Sequence, residues 1–180
     1  MTGPVSTDTV VRAATAAYLH GEPIDMSALA ASLGLSRATL YRRVGNHEQL
    51  LGLVLAASAE RGYRALTAEP AEPGMANVLA VVERFMRTVV EAEPLRSLVA
   101  RDPVLFVRVV MAPGPVEAGA TRLFTELLET NGLHFTAPTA AIAQAVIRIA
   151  DSFMYSQLLG GPPQLDEAIQ VIRLLLSTAD

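Results

Sequence analysis

Residues 25–51, DMSALAASLGLSRATLYRRVGNHEQLL, constrain the fold more than any other stretch of the chain. They predict two short helices around a tight turn, with a third helix starting behind them. Asp25 is placed to N-cap the first helix by accepting from the free amides of its first turn. Met26, Leu29, Ala30 and Leu33 follow the i, i+3, i+4, i+7 spacing of a helix with one buried face. Gly34 ends it, because glycine takes the left-handed position after a helix without steric cost. Ser36 caps a second helix that runs to about residue 44, with Leu40 and Val44 toward the core. At 100° per residue, Ala38, Thr39 and Arg42 lie away from Leu40, with Tyr41 beside them. Arg37 sits at the amino-terminal end, the end that meets base edges when such a unit docks on DNA. Gly45 closes the second helix, and Asn46 and Gln49 have the spacing of a capping box for the third.

The run GLSRATLYRRVGNHEQLL resembles the DNA-binding signature of the TetR family, and a helix over residues 6–20, ended by Gly21, fits that family's first helix. The resemblance implies an all-α homodimer, with an N-terminal three-helix DNA-binding domain (residues 1–50) and a C-terminal helical ligand-binding and dimerisation domain (residues 51–180). At motif level it covers about the first 60 residues; beyond them it rests on length and helical pattern. It places Ser36, Arg37, Ala38, Thr39, Tyr41, Arg42 and Arg43 at DNA-facing positions, with Thr39 and Tyr41 as phosphate-binding hydroxyls. Two residues depart from the pattern. Val44 stands where many members have an aromatic residue. His47 stands where the family usually has a phosphate-binding lysine, and a neutral imidazole is a weaker partner. Tyr41 as packing, and His47 as a plain helix-start surface residue, are the alternatives; Arg61 and Arg64 read as surface or inter-domain residues.

Composition agrees with packed helices. The chain is 51% hydrophobic but only 5% aromatic. Its net charge of −4 is unusual for a DNA binder until it is divided along the chain. Residues 1–64 hold six Arg against five acids, and residues 65–180 eight Arg against thirteen. The basic end is only mildly basic, so phosphate neutralisation falls to a local cluster and to helix N-termini. With so few counterions to release, non-specific affinity is expected to be modest. There is no cysteine, which excludes disulfides and thiolate chemistry. The first residues lack a signal peptide's basic start and apolar core. The longest largely apolar run, residues 50–59, is far short of the ~20 residues that span a bilayer. The expected location is cytoplasmic, with no membrane partner.

Further helices are expected over about 7–20 (inner face Val11, Ala14, Tyr18), 47–66, 75–92 (Val78, Val82, Phe85, Val89), 102–111, 116–130, 138–159 (Ile142, Val146, Ile149, Phe153) and 165–178 (Leu165, Ile169, Ile172, Leu176). TAEPAEPG at 67–74 is a break, Pro94 interrupts the helix before it, and Asp102-Pro103 restarts one. The last two helices are apolar on more than one face, as a helix buried on two sides is. The simplest second burial is another subunit. The resemblance implies the same, a homodimer through the last two helices; a thicker monomer core is the alternative.

The resemblance also implies a pocket for a small effector in the C-terminal domain. Gln144, Arg148, Asp151 and Tyr155, spaced four, three and four, form a polar stripe on an apolar helix. Buried, they need partners, so they either orient a polar ligand or line the dimer seam. Arg148 and Asp151 are also spaced to pair with each other. Phe85, Met86, Phe106, Met111, Phe124 and Met154 offer a soft apolar lining, or simply core. An amphipathic ligand among residues 75–160 is expected. No cofactor or metal is implied: His20, His47 and His134 are isolated, and neither a nucleophile elbow nor a phosphate-binding glycine loop occurs. Catalysis is not expected. The expected activity is that of a ligand-responsive repressor releasing a palindromic operator, with a helical protein-interaction module as the alternative.

Overall fold

The computed structural model describes residues 5–162 and 164–179. Among them the chain forms ten helices and no strand. They are α1 (Thr7–Leu19), α2 (Met26–Ser32), α3 (Arg37–Val44), α4 (His47–Leu66), α5 (Met75–Glu91), α6 (Glu93–Arg101), α7 (Pro103–Met111), α8 (Pro115–Thr130), α9 (Thr139–Leu158) and α10 (Leu165–Leu176). The architecture is all-α, with an N-terminal helix-turn-helix.

The helices group into two compact units. One takes the chain up to Ser58 together with Glu93–Val116; the other takes Ala59–Ala92 and the chain from Glu117 onward. In the first unit, α1, α2 and α3 pack against one another. Ser6 caps α1 by accepting from the Thr9 amide at 3.1 Å. Val10, Ala14 and Tyr18 are buried at i, i+4, i+8. Val11, expected inside, is only half-buried, because the packing turns α1 by one residue and brings Val10 inward instead. Asp25 caps α2, accepting from Ser27 and Ala28 at 2.6 and 2.9 Å. The turn after α2 is a Schellman closure: Leu35 donates to Ala30 and Gly34 to Ala31. It needs the left-handed φ of +65° that Gly34 adopts.

The helix α6 was not legible beforehand. Pro94 does end α5, since Ala92 turns extended, but a new helix begins at once with that proline in its first turn, where no amide is missed. α7 starts as expected: Asp102 accepts from Leu105 at 2.9 Å, with Pro103 in the first turn.

In the second unit, α5, α9 and α10 pack together. The buried stripe of α5 is Val78, Leu79, Val82, Met86 and Val90, with Phe85 and Val89 at its half-exposed edge. α9 buries Ala143, Val146, Ala150, Met154 and Tyr155, so the expected stripe of Ile142, Ile149 and Phe153 stays half-exposed. α10 buries Ala168, Ile169, Ile172 and Leu176, with Leu165 only partly covered. The end of α8 is tied to the start of α5 through buried Asn131. Its Oδ1 accepts from the Gly74 amide (3.1 Å) and Asn77 Nδ2 (2.9 Å), and its Nδ2 donates to the Leu127 carbonyl at 2.8 Å. That satisfies a side chain which would otherwise be costly to bury. Arg64 makes a bidentate pair with Glu126 at 2.6 and 3.0 Å within this unit.

Candidate nucleic-acid interface

α3 is pinned at three points. Ser36 accepts from the Thr39 amide at 3.2 Å, and its Oγ shares a hydrogen bond with Thr39 Oγ1 at 2.9 Å. Leu40 and Val44, the former fully buried, anchor the inner face. Gly45 ends the helix at φ +72°, ψ −149°, a conformation open essentially only to glycine. The next helix starts there: Asn46 Oδ1 accepts from Gln49 at 2.9 Å, and Gln49 Oε1 accepts from the Asn46 amide at 2.8 Å. This is the expected capping box. A short helix would fray alone; these contacts give it a defined orientation.

What α3 shows to solvent is Arg37, Ala38, Tyr41 and Arg42. Tyr41 is 40% exposed, so it belongs mainly to the outer surface. Ser36 is exposed and Thr39 half-exposed. Arg43 differs from the other two arginines: it is half-buried, and its Nε is buried without a hydrogen-bond partner among the described residues. His47 is the first residue of α4 and half-exposed. Asp25 lies close enough to Arg37 for the guanidinium to help hold its carboxyl below the usual range, after the two backbone amides that dominate the shift.

The polar stripe of α9 finds its partner on α8. Glu117 Oε1 accepts from Gln144 Nε2 at 2.9 Å and from the Arg148 guanidinium at 2.5 Å. The salt-bridge partner of Arg148 is therefore Glu117, not Asp151. Glu117 is the better buried of the two, with 14% of its side chain exposed against 40% for Arg148. Further along the stripe, burial pushes the Asp151 carboxyl up to about 6, against a hydrogen bond from Tyr155 and the field of Arg148. Buried Tyr155 is itself pushed well above its ordinary value, first by burial and then by the Asp151 charge. The apolar candidates are divided between the two units. Met86, Phe124 and Met154 are buried in the second unit, with Phe85 at the edge. Phe106 and Met111 belong to the first unit, Phe106 fully buried and Met111 half exposed.

Residues 73–177 match the family model of the tetracyclin repressor-like C-terminal domain. A transcriptional repressor from R. erythropolis, QsdR, is similar over 97% of this chain and 95% of its own, at 36% identity and a TM-score of 0.89. The chain belongs to the TetR family of transcriptional regulators. The repressor AlkX from Dietzia sp. strain DQ12-45-1b shares the fold at 23% identity and a TM-score of 0.67, over 99% of both chains. No curated protein matches this chain. TetR-family regulators bind DNA, and the exposed face of α3 carries two arginines and a tyrosine hydroxyl.

Glu117 is the residue that reasoning from sequence missed. It lies 27 residues before Gln144, on a different helix, and an acid in a helix's first turn already has a local explanation in the helix dipole. No single helix among the described residues is long and apolar enough to cross a membrane.

Proposed function

We propose that this regulator is a sequence-specific repressor that binds a palindromic operator as a homodimer and releases it when a small amphipathic effector binds. The observation that carries the reading is α3: a helix held by caps at both ends, with Arg37, Ala38, Tyr41 and Arg42 turned to solvent. In this proposal residues 1–50 read DNA, and residues 51–180 bind the effector and dimerise. Ser36, Thr39 and Tyr41 position the helix on phosphates, Arg37 and Arg42 read base edges, and Arg43 and His47 sit at the margin of the contact. Repression is favoured by the likeness to QsdR.

A second copy would cover the apolar faces left open on the last two helices. On α10 Leu174 is 73% exposed and Val171 44%, and on α9 Ile149 and Phe153 are half-exposed. A two-fold dimer presents its reading helices to successive major grooves, about 34–36 Å apart. The effector would lie among the helices of residues 75–160, with Gln144, Arg148, Asp151 and Tyr155 as its polar contacts; a ligand binding there must favour one of two states with different DNA affinity. The protein is then a cytoplasmic regulator, with no catalytic role.

Selection of sites from a random DNA pool tests the proposal. Enrichment of a two-fold palindrome is expected. A folded dimer that enriches nothing, with or without effector, would instead favour a helical module that binds protein. On the selected site, Arg37→Ala or Arg42→Ala should relax base preference by about 1–3 kcal/mol. Tyr41→Phe should weaken all sites about equally. An effector screen by thermal shift should give a smaller stabilisation for Arg148→Ala than for wild type. Equal shifts would remove Arg148 from the effector site.

A further inference from the structure

The first unit holds a crevice of about 220 Å³ that the reading of α3 does not use. Tyr18, Ile24, Leu51, Leu98 and Leu105 form its apolar wall. They come from α1, the α1–α2 turn, α4, α6 and α7. An apolar cavity of about 150 Å³ is enough to take up benzene, so this one has room for a ring with a short substituent. A second observation points to a polar contact inside it. Tyr18 is only 7% exposed, and its hydroxyl makes no hydrogen bond among the described residues, although the oxygen itself is not fully buried. Burial alone pushes the phenol up to about 12. The oxygen is not sealed from solvent, so water can meet it in the free protein, and a ligand hydroxyl or carbonyl can take that water's place.

The rim narrows the class of ligand. Arg101 already donates to the Gly21 carbonyl at 3.3 Å, and Asp102 Oδ1 is engaged by the Leu105 amide at 2.9 Å. Glu22 adds a second carboxylate and His47 an imidazole. Charges of both signs surround the mouth and two of them are occupied, so neither an anionic nor a cationic head gains much. We propose that this crevice binds a small uncharged amphiphile, a single ring or short chain with one hydroxyl or carbonyl, its apolar part among Leu51, Leu98 and Leu105 and its polar group on the Tyr18 hydroxyl. The site is distinct from the effector region proposed for the second unit and does not depend on it.

The test uses the full chain with 4-propylphenol and, as the probe without a hydroxyl, propylbenzene. Calorimetry measures affinity and methyl NMR locates the ligand. Saturable binding of 4-propylphenol is expected, with shifts at Leu51, Leu98 and Leu105 and an affinity about tenfold above that of propylbenzene. Tyr18→Phe, which removes only the unpaired oxygen, should bring the two ligands to nearly equal affinity. Leu98→Phe should fill the crevice and abolish binding of both; if it does not fold, Tyr18→Phe decides. The proposal is overturned by no saturation at millimolar 4-propylphenol, by shifts confined to residues 75–92 and 139–176, or by an undiminished preference for the phenol in Tyr18→Phe.

Discussion

α3 and α9 are opposite kinds of helix. α3 has eight residues, and each of its ends has a local chemical cause in Ser36 and Gly45. Only Leu40 and Val44 reach the core, so its outer face is settled as soon as the inner one is. α9 has twenty residues, no side-chain cap at its start, and apolar side chains over much of its circumference. Its buried line runs through Ala143, Val146, Ala150 and Met154, while the larger Ile149 and Phe153 stay half-exposed. Small side chains let neighbouring helices approach closely, and α9 packs against both α5 and α10. Polarity selects the buried face in α3; in α9 the fit to neighbours selects it.

The largest test of this contrast is Leu40→Ala, expected to cost about 2–5 kcal/mol in urea unfolding because the side chain is fully buried. Ile149→Ala on α9 should cost clearly less at low protein concentration, where the face is uncovered, and more as the proposed dimer forms. An equal cost that grows with protein concentration would show that a second copy covers it. Next comes Asp151. Its folded value of about 6 lies above the ordinary 3.8, so the folded state holds the proton more tightly. That stabilisation is complete below about pH 4 and is lost as pH rises through 6. Wild type should therefore lose on the order of 2–3 kcal/mol relative to Asp151→Asn between pH 4 and 7.5. Parallel pH profiles of the two proteins would show that the carboxyl is solvated.

Gly45→Ala should cost about 1–3 kcal/mol from its backbone conformation. An added Cβ would also collide with the Gln49 side chain and break the capping box. Thermal unfolding followed by the operator affinity of what remains folded would check it; a neutral result would mean that the α3–α4 turn is not rigid. The smallest effect is expected for Arg148→Ala. Its side chain is 40% exposed, so losing the pair with Glu117 should cost only about 0.2–1 kcal/mol. A larger loss would mark the α8–α9 network as structural, outweighing any role in holding a ligand.

The helix-turn-helix was legible almost residue by residue, because Asp25, Gly34, Ser36, Gly45, Asn46 and Gln49 act on amides within a few positions of themselves. The start of α7 at Asp102-Pro103 was readable for the same reason. α6 was not, since a proline that ends one helix equally well begins another. The polar stripe was visible as a spacing, but its link to Glu117 was not, because nothing in 27 residues of intervening chain ties the two together.

Alone, the amino-acid sequence determined the helix ends of the helix-turn-helix, the exposed chemistry of α3 and the family to which the chain belongs. These follow from short-range hydrogen bonding and backbone sterics. Tertiary structure decided which apolar face of α1, α5, α9 and α10 is buried, which acid answers Arg148, and that residues 93–116 join the N-terminal unit. Those outcomes depend on the fit of surfaces distant in the chain, and apolar side chains carry no directional preference of their own to settle them earlier.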